Sequence, residues 1–274
     1  MSFPWRPPAP SGWQSLALAE LEADVAYGDL SAAVLRDEPV SWMIEAQAEG
    51  VACGLGIAAW LLDGKALVED GSAVAAGTRV LEGSAGAPWL LSRERTALNF
   101  VMMLSGTASL TAKYVAAVEG LPVKITDTRK TVPGLRALQK YAVRCGGGVN
   151  HRFDLSDAVM IKDNHIAAWG GVAETVARAR AMVGHTVKIE VEADRVEQAI
   201  EAADAGADIV LLDNMSLEDL RRAVGALKGR VILEASGGVN LTTVRGIAET
   251  RVDVISVGAL THSAPALPFH LELT

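Results

Sequence analysis

Residues Val187 to Asp213 read VKIEVEADRVEQAIEAADAGADIVLLD, and the order of elements within them decides the fold. Val187–Val191 and Ile209–Leu212 are short runs rich in β-branched residues, the composition of strands covered on both faces. Arg195–Ala205 between them is amphipathic at helical spacing. Ala205-Gly206-Ala207-Asp208 then places a helix-ending glycine just ahead of the second strand. Working outward, the same signals recur. Strands are expected at Val123–Thr126, Ala158–Ile161, Val231–Leu233 and Val254–Val257, and helices at Val172–Val183, Leu217–Leu227 and Leu241–Glu249. Such alternation builds a parallel sheet covered by helices. The polar residues that close successive strands, Glu192, Asp213, Ser236 and Gly258, lie 21, 23 and 22 residues apart, a repeat that favours a barrel. A full eight-stranded ring uses roughly 250 residues. About 150 remain after Leu110, so the barrel is expected to be incomplete or compact. No G-x-G-x-x-G follows the first strand, which argues against a dinucleotide-binding unit.

The first part of the chain reads differently. Val40–Ala46 is an apolar run, Gly50–Gly56 is punctuated by glycine, and Gly71–Gly83 looks like short strands joined by turns. Glu94–Glu119 is a long helical pattern with apolar Ala97, Leu98, Val101, Leu104 and Ala108 on one face, and Ser105-Gly106 is expected to kink or break it. A lipoyl-type β module carries little weight, because no lysine sits at a hairpin tip.

Composition narrows the function. Half of the 274 residues are hydrophobic, yet no uninterrupted apolar run is long enough to span a bilayer. Met1–Pro10 is Pro-rich and lacks the pattern of a secretory signal, and Cys53 and Cys145 form neither a disulfide framework nor a metal-ligand spacing. A reducing compartment, the cytoplasm, is the expected location. The net charge of −8 speaks against nucleic acid as a partner. Between Lys124 and His165, however, eight Lys/Arg face four Asp. A local cationic stretch in an acidic chain focuses a field on a small anion. Arg136, Lys140 and Arg144 are read as a solvated helix surface; the other cations fall among turns and strand ends.

Four clusters carry chemistry. Asp127-Thr128-Arg129-Lys130-Thr131 sets two cations and two hydroxyls at a strand end, a site for carboxylate or phosphate. Gly146-Gly147-Gly148 before Asn150-His151-Arg152 lets backbone amides approach a ligand, although the glycines could instead end a helix over Gly134–Cys145. Lys162-Asp163-Asn164-His165 follows an apolar strand; Lys162 could be a Schiff-base nucleophile, an anion ligand or an ion-pair partner, and His165 an orienting group. Glu192 and Asp213 end successive strands, where carboxylates hold Mg²⁺ or ribose hydroxyls, and Glu190 shares the face of Glu192. Downstream, Ser236-Gly237-Gly238 and Val257-Gly258-Ala259 each end a strand ahead of a helix, a pair of phosphate cradles. Together these describe a carboxylate-bearing ligand, a phosphosugar and a divalent metal, and hence transfer of a ribosyl phosphate onto an acidic acceptor.

The strings Glu94–Asn99, Asp127–Thr131, Tyr141–Gly148, Asn150–Arg152, Lys162–His165, Leu212–Asn214, Glu234–Gly238 and Ser256–His262 closely resemble the quinolinate phosphoribosyltransferase family, in order from about Gly28 to His262. The resemblance implies an N-terminal α/β sandwich over residues 1–108, with 263–274 packing on it, and an open seven-stranded α/β barrel over 109–262. It implies joining of quinolinate to phosphoribosyl pyrophosphate, with release of pyrophosphate and carbon dioxide, to give nicotinate mononucleotide. Thr128 falls within one of the shared strings. Arg129, His151, Arg152 and Lys162 would hold the two carboxylates, with Arg95 added from the second subunit of a homodimer that shares its active sites and is open to a higher oligomer of dimers. Lys130 would reach toward phosphoribosyl pyrophosphate, and Glu192 and Asp213 would bind ribose hydroxyls and Mg²⁺, Glu192 being chosen over Glu190 by its spacing to Asp213. Lys130, Lys162, Glu192 and Asp213 are thus the expected catalytic set, and Ser236, Gly237, Gly238 and Val257–Ala259 the 5′-phosphate site. Thr107, Ser109 and Gly28–Ala32 depart from the family pattern outside the anion cluster. The competing readings are a paralogous transferase with another acceptor, a Schiff-base lyase using Lys162, and a non-catalytic phosphosugar sensor.

Overall fold

The computed structural model describes residues 10–274; of the Pro-rich start, residues 1–9 lie outside the described residues. In chain order the elements are α1 (Pro10–Asp24), β1 (Pro39–Ala46), β2 (Gly50–Val51), α2 (Leu55–Leu62), β3 (Lys65–Ala66), β4 (Ala73–Val74), β5 (Arg79–Gly86) and α3 (Ala87–Ala117). The second half continues with β6 (Lys124–Thr126), α4 (Arg136–Cys145), β7 (Val159–Ile161), α5 (Asp163–Trp169), α6 (Val172–Met182), β8 (Ile189–Ala193) and α7 (Val196–Asp204). It ends with β9 (Ile209–Asp213), α8 (Leu217–Leu227), β10 (Ile232–Ser236), α9 (Val244–Ala248), β11 (Val254–Ser256), α10 (Ala259–His262) and β12 (Phe269–Leu273). Among the described residues two compact units form: residues 10–112 with Thr131–Gly147 and Leu260–Thr274, and Lys113–Lys130 with Gly148–Ala259. Residues 131–147, which the expected cut after 108 gives to the barrel, therefore lie in the first unit.

The first unit holds a four-stranded antiparallel sheet in the order β12-β1-β5-β3, and a small β2-β4 pair. Its apolar core joins Trp42 and Ile44 of β1 to Leu81 of β5, Leu61 and Leu62 of α2, and the stripe Ala97, Leu98, Val101, Leu104 and Ala108 of α3. The apolar spacing of α3 was legible, but the break considered at Ser105-Gly106 is absent: the helix runs on through both residues. Ser105 Oγ accepts from Cys53 N (2.9 Å) and donates to Cys53 O (3.2 Å), and a Cβ at Gly106 would meet the backbone of Pro265. Small residues here serve close packing between backbones.

A second correction concerns Lys140. It is fully buried, because α4 is covered nearly all round, with Leu138, Gln139, Ala142 and Val143 also buried. The glycines after α4 end the helix: Gly146 N donates to Ala142 O, Gly147 N donates to Arg144 O, and the backbone of Ala108 crowds Gly146.

The second unit is a six-stranded parallel sheet in the order β6-β11-β10-β9-β8-β7, so all six expected strands are present. Beside β6 a single parallel bridge, Thr126↔Val149, adds a seventh position. Among the described residues no pairing joins β7 to that edge, and the ring is an open α/β barrel. The helix expected at Leu241–Glu249 shortens to α9. Asn240 Oδ1 accepts from Thr242 N (2.9 Å) and Thr243 N (3.1 Å) and holds that stretch as a turn. Among the described residues no helix is long and apolar enough to cross a membrane.

Candidate active site

Parallel pairing sets Glu192 beside Leu211, Asp213 beside Ser236, and Leu211 beside Glu234. Because strand side chains alternate, Lys162, Glu192, Asp213 and Ser236 share one face of the sheet with Met160, Glu190, Leu211 and Glu234, each of which lies two positions earlier in the same chain segment. A cavity of about 560 Å³ in this unit is lined by Thr128, Arg129, Lys130, His151, Arg152, Lys162, Glu192, Asp213, Ser236, Gly237 and Gly238, together with Met160, Leu211, Asn214, Glu234 and Ser256. Eleven residues expected from the sequence thus meet in one pocket.

Four expected site residues, Val257, Gly258, Ala259 and Arg95, are not among its lining. Val257 is buried and its N–H donates to Thr126 O at 2.9 Å, so the β6–β11 ladder uses the amide that a phosphate cradle would need. Gly258 and Ala259 likewise do not line it, and Ser256 does. Gly146–Gly148 do not line it either, and Gly146 and Gly147 end α4. Arg95 is exposed on α3 and lines a separate cavity of about 530 Å³ in the first unit, with Glu20, Asn99 and Phe100.

The cationic wall starts at the end of β6. Thr128 Oγ1 accepts from Lys130 N (3.0 Å), which turns the chain there. Asp127, fully buried, accepts from Asn150 Nδ2 (2.6 Å) and His151 N (2.9 Å), tying the His151-Arg152 segment to β6. Arg152 Nη1 donates to Ala158 O (2.9 Å). The Nε atoms of Arg129 and Arg152 are buried and have no hydrogen-bond partner in the protein. Burial first, and the nearby Arg129 next, pull the Arg152 guanidinium below its ordinary value. Buried donors of this kind are costly until an anion meets them.

Lys162 Nζ donates to Glu192 Oε2 at 2.8 Å, and His165 Nδ1 accepts from Lys162 N at 3.0 Å, the orienting role expected of that histidine. At the end of β9, Asn214 takes φ 53° and donates from Nδ2 to Asp213 Oδ2 (2.8 Å). In that position it leaves room only for glycine at 237. Gly237 has φ 92°, and a Cβ there would strike the Asn214 side chain and approach its backbone N to 2.9 Å. Gly237 is thus required by the close approach of two strand ends, whereas Gly238 has open space around it and is favoured by its φ of 60°.

The sequence offered Glu190 only as a substitute for Glu192 and left Glu234 without a role of its own. His151 Nε2 lies 3.1 Å from Glu190 Oε2 and 3.5 Å from Glu234 Oε1, and both glutamates are buried. Glu234 was legible as an inward residue, since it sits two positions before Ser236 on the same strand face. Burial, then the charge of Glu190, pushes its carboxyl up to about 7, against the lowering effects of His151 and the Ser256 hydroxyl. The folded protein therefore holds this proton over a range, from about pH 4.5 to 7, in which the unfolded chain has lost it. The stability it contributes is full below that window and is lost as pH rises through it. Glu234→Gln cannot titrate, so its stability relative to wild type is expected to increase from pH 5 to pH 8; urea unfolding at the two pH values measures this.

Sequence profiles agree with the geometry. Residues 29–105 match the quinolinate phosphoribosyl transferase N-terminal domain and residues 107–272 its C-terminal domain. The chain is 40% identical over 262 residues to a probable nicotinate-nucleotide pyrophosphorylase [carboxylating] of Bacillus subtilis, covering 92% of this chain and 90% of that protein. The human nicotinate-nucleotide pyrophosphorylase [carboxylating] is 44% identical over 209 residues, 74% of this chain and 70% of that one. The structure of nicotinate-nucleotide pyrophosphorylase from Francisella tularensis superposes with a TM-score of 0.93 at 39% identity, covering 97% of this chain and 98% of that one.

Proposed function

The chain belongs to the quinolinate phosphoribosyltransferase family, and from that premise we propose how its pocket works on its two substrates. The enzyme transfers the phosphoribosyl group of phosphoribosyl pyrophosphate to quinolinate with decarboxylation, giving nicotinate mononucleotide, pyrophosphate and carbon dioxide, a step of NAD biosynthesis. The observation that carries the site reading is the pair of buried, unpartnered Nε atoms of Arg129 and Arg152 on a cavity that also contains Lys162, Glu192 and Asp213.

In this reading Arg129, Arg152 and Lys162 hold the quinolinate carboxylates, and Lys130 and Thr128 face phosphoribosyl pyrophosphate. The 5′-phosphate lies against Ser236, Gly237 and Gly238. Orientation is the main contribution of these groups, since well-placed reactants gain up to ~7–11 kcal/mol over free ones. The ring nitrogen forms the bond to the ribosyl carbon as pyrophosphate leaves. Glu192 and Asp213 stabilise the positive charge that develops on the sugar. The cationic ring nitrogen then stabilises the electron pair left on the ring carbon as the C–CO₂ bond breaks and carbon dioxide departs. A proton from solvent takes the place of the lost carboxylate on that carbon.

Glu192 and Asp213 also fit Mg²⁺: they are hard oxygen donors, end adjacent strands, and line the same cavity. When bound, the ion would neutralise charge on the departing pyrophosphate. Arg95 is assigned to the carboxylate site of a second copy in a homodimer, because it does not line the pocket that holds its expected partners. A cytoplasmic enzyme is consistent with two free cysteines. The Schiff-base alternative is not favoured: an ammonium clamped on Glu192 lacks the free lone pair such a nucleophile needs.

Incubation with quinolinate, phosphoribosyl pyrophosphate and Mg²⁺ is expected to release carbon dioxide and nicotinate mononucleotide in equal amounts. Turnover of nicotinate but not of quinolinate would overturn the assignment. Mixing inactive Arg95→Ala and Arg129→Ala proteins is expected to restore part of the activity. No recovery from stably mixed dimers would remove Arg95 from the shared site.

A further inference from the structure

We propose that His151, backed by Glu190 and Glu234, positions Arg152 and does not itself hold the acceptor. This rests on the reading of Arg129, Arg152 and Lys162 as the carboxylate wall, and it changes the part played by the histidine between them.

The hydrogen bonds decide the tautomer. Arg152 N donates to His151 Nδ1 at 2.7 Å. A backbone N–H can only donate, so Nδ1 presents its lone pair and the proton of the neutral ring is on Nε2. That Nε2–H faces inward, 3.1 and 3.3 Å from the two Glu190 oxygens and 3.5 Å from Glu234 Oε1. Both ring nitrogens are thus engaged within the protein, and neither is left for a ligand carboxylate.

The same argument bears on an obvious alternative. One ligating atom from each of His151, Glu190 and Glu234 lies within 4.8 Å of the others, the grouping of a transition-metal site. A metal would need the Nε2 lone pair and a proton on Nδ1, which would set that N–H against the N–H of Arg152. The cluster is a hydrogen-bonded support instead.

What it supports follows from connectivity. His151 N is held by Asp127 at the end of β6, and its ring by Glu190 of β8 with Glu234 of β10 alongside. The imidazole accepts the amide of Arg152, so these strands together fix the backbone from which that guanidinium enters the cavity. Ser256 on β11 and Asp127 complete the polar groups that act on Glu234.

Nitrogen-15 spectra of histidine-labelled full-length protein without substrate are expected to show His151 protonated at Nε2 and bare at Nδ1. Kinetically, Glu190→Ala is expected to raise KM for quinolinate at least tenfold, with kcat and KM for phosphoribosyl pyrophosphate within about twofold. Glu190→Gln, which keeps an acceptor for Nε2–H, is expected to recover most of that loss. A proton on Nδ1, coordination of added Zn²⁺ by His151, or a Gln variant as impaired as the Ala variant would overturn the proposal. If the Ala variant does not fold, the wild-type spectra still decide it. Inactivity of the wild type on quinolinate would sink the acceptor reading alone, since the tautomer is read without substrate.

Discussion

Arg152→Ala is expected to lower kcat/KM for quinolinate by about 100- to 1,000-fold while leaving KM for phosphoribosyl pyrophosphate near the wild-type value. Losing one partner of a buried, hydrogen-bonded charge pair costs on the order of 2–5 kcal/mol, and about 1.4 kcal/mol corresponds to tenfold. The guanidinium is suited to this role because its Nη1 is anchored on Ala158 O while its buried Nε has no protein partner. Arg152→Lys keeps the charge and loses the planar fork, so it is expected to recover only a small part of the activity. Steady-state kinetics with each substrate varied in turn measures the effect, and circular dichroism checks the fold. A loss shared equally between the two substrates would count against a carboxylate role.

Asp213→Asn is expected to lower kcat by about 100- to 1,000-fold, the range for removing one group aimed at charge that develops in the transition state. The change is nearly isosteric. The amide carbonyl of the variant side chain can still accept from Asn214 Nδ2, as Asp213 Oδ2 does, so the strand end should keep its shape. KM for quinolinate should move little, because the cations that face the acceptor lie on other elements. If the ion is bound here, the Mg²⁺ concentration for half-maximal rate should rise as well. A kcat near wild type with an unchanged Mg²⁺ requirement would remove Asp213 from the proposed site.

Much of the architecture was legible because parallel strands covered on both faces are continuous apolar runs, and the helices between them keep a 3.6-residue period. All six barrel strands and the apolar face of α3 could be read from those periods. The polar residues at strand ends were legible for a related reason: Lys162, Glu192, Asp213 and Ser236 interrupt apolar runs at a regular spacing, and the register then brings them to one cavity. Glycine was the least legible residue. Gly106 serves a close approach to Pro265, Gly146 and Gly147 end a helix, and Gly237 makes room for Asn214. Each has a different tertiary reason behind the same letter.

By itself the sequence determined the order of strands and helices, the open parallel barrel, and the residues at its strand ends, because periodicity and turn chemistry are local. Tertiary structure alone decided what those residues face. The bond from Thr126 O uses the amide of Val257, the covering of α4 buries Lys140, and Arg95 lies on another cavity. It also placed Glu190 and Glu234 beneath His151. Burial and hydrogen-bond partnership are set by neighbours distant in the chain, and no spacing along the sequence encodes which amide is already taken.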